Sequence, residues 1–243
     1  MRLPIATPLV VVLALIATAV LTAADKKQAF KSITPENVSA KWWADRHTQK
    51  LKALKSQSVD LLMIGDSITH GWEGRGKKVW QEYYAKRNAF NIGYSGDRTE
   101  HVIWRLQHGE IDNISPRLAV VMIGTNNTGH RQDPPRETAA GIKVILGELK
   151  KRQPRMKVLL LAVFPRGATA DDKLRKINTA INGTIKGYAN GKDVFFLNLN
   201  GAFLEDNGRL PKSVMPDLLH PHEAGYRMWA EAMEPTIQQL LAE

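Results

Sequence analysis

Five short apolar runs, interrupted only by Asp60 and Asn91, punctuate the chain, at residues 59–64, 89–92, 118–123, 158–163 and 194–197. Each is too short for a buried helix, and each ends at glycine, proline or polar residues, so each reads as a strand buried on both faces. Between them the apolar period changes to that of a helix. Thr99 is placed to cap a helix carrying Val102, Ile103 and Leu106. Residues 136–151 repeat apolar side chains at Ala139, Ile142, Ile145, Leu146 and Leu149, residues 174–188 at Ile177, Ile181 and Ile185, and residues 223–241 close the chain. Strands of this kind alternating with amphipathic helices predict an α/β fold: a five-stranded parallel sheet in a three-layer α/β/α sandwich. Crossovers in such a sheet are right-handed, and ligands bind beyond the carboxyl ends of its strands.

The residues with chemistry fall at that edge. Ser67 ends Gly65-Asp66-Ser67 after the first run, and Gly96 follows the second. Asn126 follows the third in Gly124-Thr125-Asn126-Asn127, and Asp217-Leu218-Leu219-His220 comes after the fifth. A serine hydroxyl is inert until a base removes its proton. An imidazole with an ordinary pKa of about 6.5 is poised for that at neutral pH. Asp217, three residues before His220, lies on the same turn of chain and is placed to orient the ring and stabilise its cation. Pro221 disfavours helix at His220, so the pair belongs to a turn before the last helix. The Ser67 amide, the Gly96 amide and the Asn126 side chain are candidate oxyanion donors; losing one such donor costs about 2.7–4 kcal/mol of transition-state stabilisation. Asp66 is expected to brace the turn and point away from Ser67. Thr69 stands where a Gly-x-Ser-x-Gly elbow has its second glycine. His70 lacks a carboxylate at matching spacing and is read as pocket lining, together with Tyr94 and His130.

Residues 1–24 read as a signal peptide: Arg2, an apolar stretch over 9–21, then Thr22-Ala23-Ala24 before the polar Asp25-Lys26-Lys27. The alternative is an uncleaved membrane anchor; Pro4, Pro8 and the short apolar centre favour cleavage, giving a secreted or periplasmic protein with no stable membrane span. Residues 25–58 are expected to form a helical arm, with Trp42 and Trp43 packed on the domain at 59–243. The absence of cysteine rules out disulfides, thiolate metal sites and a cysteine nucleophile. No Asp/His cluster has metal-ligand spacing. The net charge of +10 comes from lysines and arginines scattered over helix faces. With no zinc-finger, RNP or basic-region pattern, nucleic acid is not an expected partner.

The four blocks Gly65-Asp66-Ser67, Gly96, Gly124-Thr125-Asn126 and Asp217-Leu218-Leu219-His220 stand in the order of the SGNH (GDSL-type) serine hydrolases, which the chain resembles over nearly all of its mature domain. Residues 96–106 and the Pro165-Arg166-Gly167 piece are most like the platelet-activating factor acetylhydrolase Ib catalytic-subunit branch. The resemblance implies a flavodoxin-like fold, no cofactor, Ser67, Asp217 and His220 as triad, and Ser67, Gly96 and Asn126 as oxyanion hole. Ile68 stands where the motif has leucine. Tyr94-Ser95 replaces a smaller, glycine-rich turn, so Tyr94 is expected to reshape the acyl pocket. The expected function is an exported esterase removing acetyl or other short acyl groups from a small-molecule or glycan ester. A lysophospholipase or broader lipid esterase, and a non-catalytic carbohydrate- or lipid-binding relative, are the alternatives. The branch also allows a homodimer.

Overall fold

The structure, a computed structural model, describes residues 30–242. The leader or anchor read at 1–24, and the start of the arm, lie outside the described residues. Helix α1 (Lys41–Leu54) precedes β1 (Leu61–Gly65), the short α2 (Ser67–His70) and α3 (Lys77–Tyr83). Then come β2 (Ala89–Gly93), α4 (Thr99–Gln107), β3 (Leu118–Met122), α5 (Pro135–Arg152) and β4 (Lys157–Leu161). Finally α6 (Lys173–Ile185), β5 (Val194–Leu197) and α7 (Glu223–Ala242) complete the chain. All strand pairs are parallel, in the order β2-β1-β3-β4-β5.

The period-two alternation of side chains splits each strand between two cores. Leu62 and Ile64 of β1, Val121 of β3 and Leu160 of β4 face α1, α4, α5 and α6. Leu61, Met63, Val120 and Leu159 face α2, α3 and α7, where Trp72, Tyr226 and Trp229 pack ring on ring. The result is the expected three-layer sandwich. Uninterrupted apolar runs are what a strand needs when both of its faces are covered. Among the described residues no helix is long and apolar enough to cross a membrane.

Two local expectations are corrected. Trp43 is buried, but Trp42, one residue away on the helix, is 45% exposed. Thr99 does not cap α4: it is the first helical residue, and its hydroxyl donates to the Ser32 carbonyl (2.8 Å). The N-cap is Arg98, whose amide donates to Nδ1 of His101 (3.1 Å).

Candidate active site

Ser67 begins α2 directly beyond β1, so its amide has no carbonyl one turn earlier to donate to. Asp66 is the N-cap, with Oδ1 accepting from the Ile68 amide (3.0 Å). This short helix lies almost on the sheet. A Cβ on Gly93 would come within 2.4 Å of the His70 nitrogen, so only glycine allows the approach at that position.

His220 reaches Ser67 from the far end of the chain: Nε2 lies 2.9 Å from Ser67 Oγ. Asp217 Oδ2 accepts from His220 Nδ1 (2.7 Å), while Oδ1 accepts from the amides of Leu219 (3.1 Å) and His220 (2.7 Å). One carboxylate thus shapes the turn and aims the ring. Leu218, within that turn, has a left-handed φ of 58°, a conformation costly for a side chain of its size. The Gly167 amide fixes it by donating to its carbonyl (2.9 Å). Burial pushes the Asp217 carboxyl up, but the hydrogen bonds and charge from His220 outweigh this and hold it below its ordinary value.

Gly96 has φ 80°, a backbone conformation suited to glycine, and nothing lies within 4 Å of where a Cβ would stand. Asn126 is nearly buried, and its Nδ2 donates to the Asp97 carbonyl (2.9 Å), tying it to the Gly96 loop and leaving one N–H over. Beside these groups a cavity of about 530 Å³ is lined by Ser67, His220, His70, Glu73, Arg75 and Tyr226, among others. His70 lines this cavity, with Nδ1 3.0 Å from Ser95 Oγ. It does have an acid at helical spacing, contrary to the sequence reading: Glu73 Oε2 is 4.0 Å from its Nε2.

Two assignments are corrected. Tyr94 lines no part of this cavity. It is fully buried on the α1–α4 side of the sheet, donating to Glu110 and lying under the Arg105 guanidinium (3.9 Å from the ring centroid). As the second residue after Ile92, it shares that residue's face, and it is Ser95 that turns to the pocket. His130 is likewise absent from the cavity wall. It is exposed within the π-helical turn Asn127–Arg131, where partial burial and the charges of Arg98, Arg166 and Arg131 hold its pKa down. Away from the cavity, Glu36, Glu100 and His101 bring potential ligand atoms within 4.8 Å. Glu100 is already bound by Arg98 (2.6 Å), and His101 Nδ1 by the Arg98 amide.

The sequence reading also missed the support beneath the oxyanion loop. Arg105, fully buried, donates through Nε to Asp97 Oδ2 (2.8 Å) and through Nη1 to Glu110. Trp43 Nε1 donates to the other Asp97 oxygen (2.8 Å), and Arg46 Nε to the Gly93 carbonyl (3.0 Å). Arg105 stands three residues after Val102, on the apolar face of α4, and that position is the sign of a buried charge.

Asp66 is fully buried, and its Oδ2 has no hydrogen-bond partner among the described residues. Burial, with help from the Asp97 charge, pushes its pKa up to about 7 against the pull of the Ile68 amide and Arg166. A carboxyl raised by folding binds its proton more tightly in the native state. Its stabilising contribution is full below the unfolded value of about 3.9 and is lost as pH rises through about 7. Asp66→Asn retains an acceptor for Ile68 and carries no charge. Its Tm relative to wild type is therefore expected to climb between pH 4 and pH 8. A difference independent of pH in thermal melts would contradict the assignment.

The family model of the GDSL-like Lipase/Acylhydrolase family matches residues 63–228. The alpha2 subunit of platelet-activating factor acetylhydrolase IB from Rattus norvegicus is 33% identical over 202 residues, 83% of this chain and 86% of the relative. The human alpha1 subunit is 31% identical over 207 residues, again 83% of this chain and 85% of the relative. Two solved structures share the fold. A GDSL-like lipase from Bacteroides thetaiotaomicron has TM-score 0.66 and 22% identity, covering 80% of this chain and 97% of its own. An acetylxylan esterase from Geobacillus stearothermophilus has TM-score 0.59 and 22% identity, covering 78% and 97%. With the four blocks gathered at one edge of a five-stranded parallel sheet, the chain belongs to the GDSL-like lipase/acylhydrolase family and is an ester-hydrolysing enzyme.

Proposed function

We propose that the chain is an exported serine esterase releasing short acyl groups, acetyl above all, through an acyl-enzyme on Ser67. The observation that carries this reading is the hydrogen-bonded series Ser67 Oγ, His220 Nε2, His220 Nδ1, Asp217 Oδ2, at 2.9 and 2.7 Å. His220 takes the Ser67 proton as Oγ attacks the ester carbonyl carbon. The oxyanion is received by the amides of Ser67 and Gly96 and the remaining Nδ2 hydrogen of Asn126. The alcohol leaves with the proton held by His220. A water then gives its proton to His220 and adds to the acyl carbon, and Ser67 regains its proton as the acid departs.

A short acyl group is supported by the relatives' name, acetylhydrolase. Export rests on the leader pattern at 1–24. One preparation tests both: the chain is expressed with its own leader, and p-nitrophenyl esters of increasing acyl length are assayed on it. Activity should fall from C2 onward, and the released protein should start near Asp25. A rise toward C12 would move the reading to a broader lipid esterase, in line with the family's lipase description, and a retained leader in the membrane fraction would replace export by anchoring.

A further inference from the structure

The cavity beside Ser67 includes His220 but neither Gly96 nor Asn126, so it opens on the side where the leaving alcohol collects its proton. Its two carboxylate and guanidinium groups are Glu73 and Arg75. Glu73 is already overbalanced. Arg46 grips it with two nitrogens (2.8 Å each) and Lys50 with a third (2.8 Å). Arg75 has no hydrogen bond or ion pair among the described residues. The alcohol side of the nucleophile is therefore net positive, with one guanidinium unspent.

The backbone that carries that guanidinium is held in place. Gly71 and Gly76, which flank its turn, lie flat on Tyr226: a Cβ on Gly71 would be 2.0 Å from Tyr226 Oη, and one on Gly76 2.7 Å from Cγ. Tyr226 Oη in turn donates to the Ile68 carbonyl in the helix of Ser67 (2.7 Å). The Cα of Arg75 is thereby fixed relative to the nucleophile, while its exposed side chain is free to meet a ligand.

We infer that Arg75 is a specificity-determining residue and that the alcohol half of the substrate carries an anionic group, a carboxylate or phosphate, which its guanidinium binds. A planar fork with several donors suits either oxyanion. The inference rests on Ser67 being the nucleophile, and the test separates the two. Phenyl acetate and 4-acetoxybenzoate share an acyl group and release phenols of similar acidity, but only the second carries a charge on the alcohol side. The anionic ester should show the higher kcat/KM. Arg75→Gln should lower the anionic-to-neutral ratio by about tenfold, as loss of a charged hydrogen bond does, and Arg75→Glu should take it below one. High salt should also draw the wild-type ratio toward one. A ratio near one, or one that Arg75→Gln leaves in place, overturns the inference while the esterase stands. Failure of wild type on both esters overturns the Ser67 reading and this one with it. A phosphate-bearing acetate in place of the carboxylate tells which anion is preferred.

Discussion

Ser67→Ala should lower kcat on p-nitrophenyl acetate by at least about 10⁴-fold and leave the melting temperature close to wild type. The substitution removes one half-buried oxygen whose side-chain hydrogen bond goes to His220, so little of the fold depends on it. On the proposed mechanism it removes the atom that bonds to the acyl carbon. The oxyanion donors would remain, and such a remnant still exceeds uncatalysed hydrolysis by about 10³–10⁴. If nucleophile and base act as one unit, Ser67→Ala/His220→Ala should be little worse than either single variant. Activity within tenfold of wild type for the single variant would remove Ser67 from the mechanism. A double variant showing the product of two independent losses would separate His220 from Ser67.

Arg105→Met should cost about 3–5 kcal/mol of stability, the usual result of deleting one partner from a buried charged cluster. Its guanidinium sits in the interior against Asp97 and Glu110, both fully buried. Burial raises Asp97 to about 6 even against the pull of Arg105. Burial raises Glu110 as well, but the Arg105 charge outweighs it and holds that carboxyl below its ordinary value. Without the arginine, two carboxylates are left in the interior with no full cation, only Trp43, Tyr94, His47 and, at 3.8 Å from Asp97, His101 beside them among the described residues. The Tm should fall by roughly 10 °C, at about 2–4 °C per kcal/mol for a chain of this size. Adding Asp97→Asn and Glu110→Gln should recover much of it, since a neutral cluster leaves no charge stranded. A loss under 1 kcal/mol in urea titrations would mean that the cluster is hydrated, and the interior reading would fail.

What the sequence disclosed follows from how strongly each feature is constrained. A strand covered on both faces is apolar along its length, so residues 118–123 could be read almost to their ends; 194–197 carries the same apolar signal although it is the half-buried edge strand. Loops at the carboxyl edge of the sheet must come together whatever their separation, so Ser67, Gly96, Asn126 and the Asp217–His220 turn were legible as one region. Tyr94 was misread because nearness to Gly96 in the chain was allowed to outweigh strand alternation, which puts it with Ile92. The two tryptophans differ for the same kind of reason. Trp43 and His47 are one turn apart and share the buried face of α1, whereas Trp42 falls outside it. The Glu73–Arg75 wall is set by a turn packed on Tyr226, 150 residues downstream of Gly76, and no local pattern encodes it. Arg105 was hidden because a charged residue on a helix is ordinarily taken for surface, although its spacing from Val102 placed it inside.

The contact between Ser67 and His220 spans 153 residues of chain. At a synthesis rate of 5–20 residues per second, Ser67 leaves the ribosome roughly 8–30 s ahead of His220. On the proposed mechanism the nascent polypeptide carries an alcohol of ordinary reactivity throughout that interval, and acyl transfer waits for the Asp217–His220 turn to reach the sheet edge. Arrival of that turn is then the activating event.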